Sequence, residues 1–129
     1  MTRKIFTIIT ATIWISFSEF VRNEFLLKDY WTAHYEALGL IFPAEPVNGA
    51  IWGLWSLVFS IVIYFLAQKF SLWQTFLLSW ILGFVMMWLV IGNLAVLPYH
   101  ILPYAIPLSL LEAFIASLII RKMTFRKNH

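Results

Sequence analysis

This chain of 129 residues contains no cysteine, only five glycines and few charges. Without cysteine there is no disulfide, no thiolate metal site and no Cys nucleophile, and thiols cannot indicate a redox compartment. With so little glycine there is no phosphate-cradling loop, and neither H-E-x-x-H nor G-x-S-x-G occurs. Charged residues make up 12% of the chain, about half the share found in soluble domains. That scarcity excludes a disordered tail and a nucleic-acid-binding module. The place of the missing residues is taken by apolar ones, at 62% of the chain with a mean hydropathy of +0.85. A water-soluble domain of this length leaves much of its surface wet and could not hide so much apolar side chain. A soluble enzyme is therefore excluded as well. The aromatic share of 19%, with seven Trp and twelve Phe, suits interfacial belts in a bilayer.

A helix needs about 20 apolar residues to cross the hydrocarbon layer. Four stretches qualify: residues 5–27, 49–67, 72–97 and 101–120. The first begins like a signal peptide, with Arg3 and Lys4 before an apolar run. It lacks the small-residue cleavage pattern, since Ser18-Glu19-Phe20-Val21-Arg22 follows, and reads as a retained span. Gln68-Lys69-Phe70-Ser71 and Pro98-Tyr99-His100 are short connections that make neighbouring spans antiparallel. The connection over residues 28–48 is longer. Asp29 as an N-cap and Gly39 as a stop predict an interfacial helix there, ended by Pro43-Ala44-Glu45-Pro46. Pro103 and Pro107 fall in the first turns of the last stretch, where Pro107 is deep enough to kink it.

Seven basic residues (Arg3, Lys4, Lys69, Arg121, Lys122, Arg126 and Lys127) fall on one side of this scheme, and Arg22 and Lys28 on the other. The positive-inside rule then puts both termini in the cytoplasm. The expectation is an all-α polytopic integral membrane protein of one domain, residues 1–129. It is a four-transmembrane-helix bundle with a partly helical extracytoplasmic cap at 28–48 and a basic tail at 121–129, and a bacterial inner membrane suits it. Its expected surroundings are the lipid bilayer and either further copies of itself or a membrane partner protein. Neither nucleic acid nor a cofactor is expected.

Polar groups at bilayer depth are expensive, about 2.5–3.5 kcal/mol for a charge on insertion scales, so each needs a reason. Glu112 lies midway along the fourth stretch, and a carboxyl there is expected either to bind a ligand or proton or to tie helices through a Ser or Asn. Thr12, Ser16, Glu19 and Asn23 repeat at helical spacing on the first stretch, and Glu19 can reach Arg22 at i+3. Asn93 lies on a line with Ser79, Gly83, Met86 and Val90 on the third. Glu19, Arg22, Asn23, Asn93 and Glu112 are therefore the candidate ligand-binding residues, expected to converge on a polar pocket opening outward. His34, Glu36 and His100 share the outer side and are the weak candidates for a metal site, although their spacing is no metal motif. Asn48 reads as a helix cap, and His129 sits in the basic tail. Gly49, Gly53, Ser56 and Ser60 form a small-residue row for close helix packing. Trp52, Trp55 and Trp73 suit the belts, while Trp80 and Trp88 lie deeper.

In size, span number and an acid in the first helix the chain resembles the small multidrug transporters. The long connection from Asp29 to Pro46 and the setting of Glu19 depart from that family. The seven-to-two charge bias also opposes the dual insertion of an antiparallel pair. The resemblance transfers no residue role. The expected function is binding, with transport as an extension, of a small molecule or ion at the titratable carboxyls Glu19 and Glu112. A membrane enzyme or metal-binding protein, and a non-catalytic partner subunit, are the alternatives.

Overall fold

The computed structural model describes residues 1–126; Lys127 and His129, both named above, lie outside the described residues. Among the described residues it is all-α, with six α-helices: α1 (Thr2–Phe20), α2 (Lys28–Ala37), α3 (Pro46–Lys69), α4 (Leu72–Trp80), α5 (Met86–Asn93) and α6 (Leu102–Thr124). Two π-turns, Val21–Leu26 and Ile81–Val85, continue α1 and join α4 to α5. Four helical runs are long and apolar enough to cross a membrane: Thr2–Leu26, Pro46–Lys69, Leu72–Asn93 and Tyr99–Thr124.

Local chemistry sets most of the boundaries. Pro46 starts α3 at its first position, where a missing N–H costs nothing. Asn48 is the third residue of α3 and its side chain accepts from the Glu45 backbone N–H at 2.9 Å, so Glu45 is the cap and Asn48 its reciprocal partner. Ser71 and Gln74 form the same box at the head of α4. The helix in the long connection is present, with Leu27 rather than Asp29 at its cap. Asp29 sits inside the first turn, where its charge faces the positive end of the helix dipole. Gly39 follows the end of α2 at φ +74°, a conformation that suits glycine. Pro107 lies within α6, and the residues on both sides of it remain helical.

The bundle is built around α1, which packs on α3 and α6, while α4 packs on α6. The outside is apolar: Phe6, Ile9, Ile13, Phe17 and Phe20 form an exposed stripe along α1. The inside is lined with small residues, including Ser56, Ser60, Ala113, Ala116 and Ser117. Small side chains let helices approach closely where lipid removes any hydrophobic drive for association. One apolar cluster joins Ala11, Ile15, Phe59, Ile63, Tyr64, Ala67, Phe84, Ala116 and Ile120. A second joins Leu27, Leu97, Ile101 and Ala105 beneath α2, with Trp31 packed on it.

The two ends differ in charge. Arg3 donates to the Met123 and Arg126 carbonyls at 2.7 and 2.8 Å, and Arg121 to those of Ala67 and Phe70 at 3.3 and 2.8 Å. Both cover carbonyls at helix C-termini, where cations are favoured. Lys4, Lys69 and Lys122 share this end. At the other end Lys28 pairs with Glu24 at 3.4 Å, while Arg22 has been drawn into the bundle.

The small-residue row on α3 divides. Ser56 and Ser60 are buried within the bundle, but a Cβ at Gly49 or Gly53 would meet no atom within 4 Å. Gly83 is the opposite case, since its Cβ would clash with the Phe59 ring. Gly83→Ala is therefore expected to destabilise the fold by about 1–3 kcal/mol through overpacking. Gly53→Ala should stabilise it by about 0.5–1 kcal/mol through helix propensity. Thermal unfolding of the two variants in detergent checks this contrast in sign.

Candidate functional site

The buried stripe of α1 is Thr7, Ala11, Ile15 and Glu19, at i+4 spacing, with Thr12, Ser16 and Asn23 on its half-buried shoulder. Glu19 thus ends the inward face at the point where the first π-turn begins. That turn replaces an i→i−4 bond with the Leu27 N–H donating to the Arg22 carbonyl at 2.8 Å. Arg22, the second residue of the turn, is buried there. Side chains lean toward the N-terminus of their helix, so its guanidinium reaches back to the depth of Glu19.

Glu112 meets it from α6, about 15 Å along the axis from Leu102 and about 18 Å from Thr124 at 1.5 Å per residue. Arg22 Nη2 stands 2.6 Å from Glu19 Oε1, an ion pair set off-axis so that this oxygen accepts no aligned N–H. Arg22 Nη1 stands 3.4 Å from Glu112 Oε1. Asn23 donates to Glu19 Oε2 at 3.0 Å. Ser18 and the Glu19 carboxyl both lie beside the Glu112 carboxyl. Glu112 Oε2 is buried and has no partner. The charged partner that the sequence could not name for Glu112 is an arginine on the first span, and Ser18 stands beside the same carboxyl.

Aromatic rings complete the walls. The Arg22 guanidinium lies over the Phe84 ring, 5.1 Å from its centroid, a cation–π arrangement. Phe84 belongs to the second π-turn, so the two irregular turns present the cation and its ring to each other. Phe84 packs in turn on Phe59 and Trp88. Trp14 donates its indole N–H to the Glu112 backbone carbonyl at 3.0 Å, and Trp80 donates to Ser109 Oγ at 3.0 Å. These ties hold α6 against the first and third spans on either side of the acid. Trp14, Ser18 and Phe84 were not among the residues singled out in the sequence, because no spacing rule connects them to Glu112.

Of the candidate ligand-binding residues, the structure gathers Glu19, Arg22, Asn23 and Glu112, while Asn93 is exposed at the end of α5. The second π-turn gives the reason. It inserts an extra residue into the third span, which turns the line through Ser79 and Gly83 outward, so Met86 and Val90 are exposed too. The gathered cluster is closed rather than open: Glu19, Arg22 and Glu112 are 4%, 6% and 1% exposed. His34 Nε2 is hydrogen-bonded at 2.8 Å to the carbonyl of Ala95, which itself has φ 64°, and so fastens α2 to the connection before α6. Glu36 and His100 are exposed, and among the described residues no three His, Cys, Asp or Glu come together as a metal cage. A separate lipid-side groove of about 170 Å³ lies between α3 and the third span, lined by Trp55, Phe59, Ser79 and Gly83 among others.

Comparison with protein-family models, curated proteins and solved structures returns no match. Removing one partner of a buried ion pair costs about 3–5 kcal/mol because a charge is left uncompensated, whereas replacing the whole set with apolar groups is often neutral. Arg22→Met is expected to show that loss. Adding Glu19→Met and Glu112→Met to the same chain should restore most of it, as read by unfolding in detergent.

Proposed function

We propose that this is an inner-membrane protein with both termini in the cytoplasm that binds a small cation, the proton included, at Glu19 and Glu112. Carriage of that ion across the bilayer is the extended form of the proposal. The observation supporting it is a charge count: two carboxyls share one guanidinium in a site sealed from water. With both acids ionised the cluster carries one uncompensated negative charge, the costliest state for a group at this depth. One bound positive charge balances it, and Glu112 Oε2 is a free acceptor for it.

A ligand that binds only the folded protein raises its stability by RT ln(1 + [L]/Kd), about 2.7 kcal/mol at 100 times Kd. The unfolding temperature of the purified protein should therefore rise with acid or with one of sodium, lithium or potassium. Glu112→Gln should remove that response. Equal responses from the two proteins would refute the proposal.

The orientation rests on the basic end holding Arg3, Lys4, Lys69, Arg121, Lys122 and Arg126, against Lys28 at the other. Because the chain has no cysteine, single substitutions report sidedness cleanly. In intact cells Ala44→Cys should react with a membrane-impermeant maleimide, and Phe125→Cys should react only after the membrane is opened.

A further inference from the structure

We infer that the occupant of this cluster is a proton, carried on Glu112 Oε2, and that it exchanges with the α2 end of the bundle through Asn23. The inference rests on the cation-site reading above and narrows it to one ion.

The donor set separates a proton from a metal cation. A hard cation takes about six oxygen ligands. Here one oxygen of Glu19 is engaged by Arg22 and the other by Asn23, and Glu112 Oε1 faces Arg22. Glu112 Oε2, the Ser18 hydroxyl and the Glu19 Oε1 that accepts no aligned N–H remain, which is too few for a metal ion and sufficient for a proton. With the proton on Oε2, Glu112 is neutral, Glu19 and Arg22 form a matched pair, and the cluster sums to zero. Loading forms one O–H bond and breaks none within the protein. On release the proton returns to water and the negative charge stays on Glu112.

The charges acting on Glu112 are those of Glu19 and Arg22, both on the first span. The third span presents Phe84 to the guanidinium, and Phe84 is backed by Phe59 of α3 and by Trp88.

The two directions out of the site are unequal. Toward the basic end lie Ile15, Ile63 and Ile120, all 0% exposed, and the Thr7 and Ser117 hydroxyls on that side are fully buried as well. Toward α2, Asn23 is half-buried and hydrogen-bonded to Glu19, which bridges the cluster to the rim.

Infrared spectroscopy of the purified full-length protein in lipid nanodiscs tests this. At neutral pH and without added sodium or lithium, the wild type should show a protonated-carboxyl band that shifts in deuterium oxide. Glu112→Gln should lose the band. Asn23→Leu should keep it and slow its deuterium shift by roughly tenfold, the scale of one lost relay hydrogen bond. Absence of the band in the wild type, with stability that depends on sodium or lithium, would overturn the proton assignment and leave the cation-site reading standing. Absence of both effects would overturn the two together. A band whose exchange is unaffected in Asn23→Leu would overturn the outward route.

Discussion

The Arg22 guanidinium is the point on which this bundle turns. It contacts carboxyls from two spans and lies over an aromatic ring from a third, so one side chain joins α1, α6 and the third span at a depth where charge is costly. A lone carboxylate or guanidinium in that position would be strongly unfavourable, and the three groups are tolerable only together. Keeping the charges matched favours placing α6 beside α1. Packing alone would specify it less sharply where the interior is lined with Ala and Ser, which fit one another in many registers.

The two π-turns are what let this cluster form. An uninterrupted helix presents one stripe to its neighbours, and a π-turn changes that stripe partway along. In the first span the turn falls where Arg22 must reach back toward Glu19. In the third it ends the stripe of Ser79 and brings Phe84 and Trp88 to the interior. Irregular backbone in two spans thus stands beside a single ionic cluster, at the cost of helical regularity.

The layering around the cluster has a direction. On the side of the basic end stand Ile15, Ile63 and Ile120, and on the other side the cap of α2 is held by Leu27, Leu97 and the His34 hydrogen bond to Ala95. The arginines at the basic end also cover the carbonyls that close α3 and α6. Arg3 and Arg121 of the basic end thus also finish helices.

Composition and hydropathy alone decided that the chain is helical with four membrane-length runs, and the extents were legible to within a few residues at most ends. Apolar periodicity and proline placement are local signals, and they acted locally. The acids were legible as well, because Glu19 and Glu112 are conspicuous in such apolar surroundings. The sequence could not show which way each span turns about its axis after a π-turn, since no residue pattern announces an inserted residue. For that reason Asn93 was grouped with the acids by helical spacing and stands exposed, whereas Phe84, with no polar signal, faces the guanidinium. The pairing of Glu112 with Arg22, 90 positions apart, was decided only in three dimensions. Charge matching across helices depends on which spans are neighbours and at what depth, and that is a property of the packed bundle.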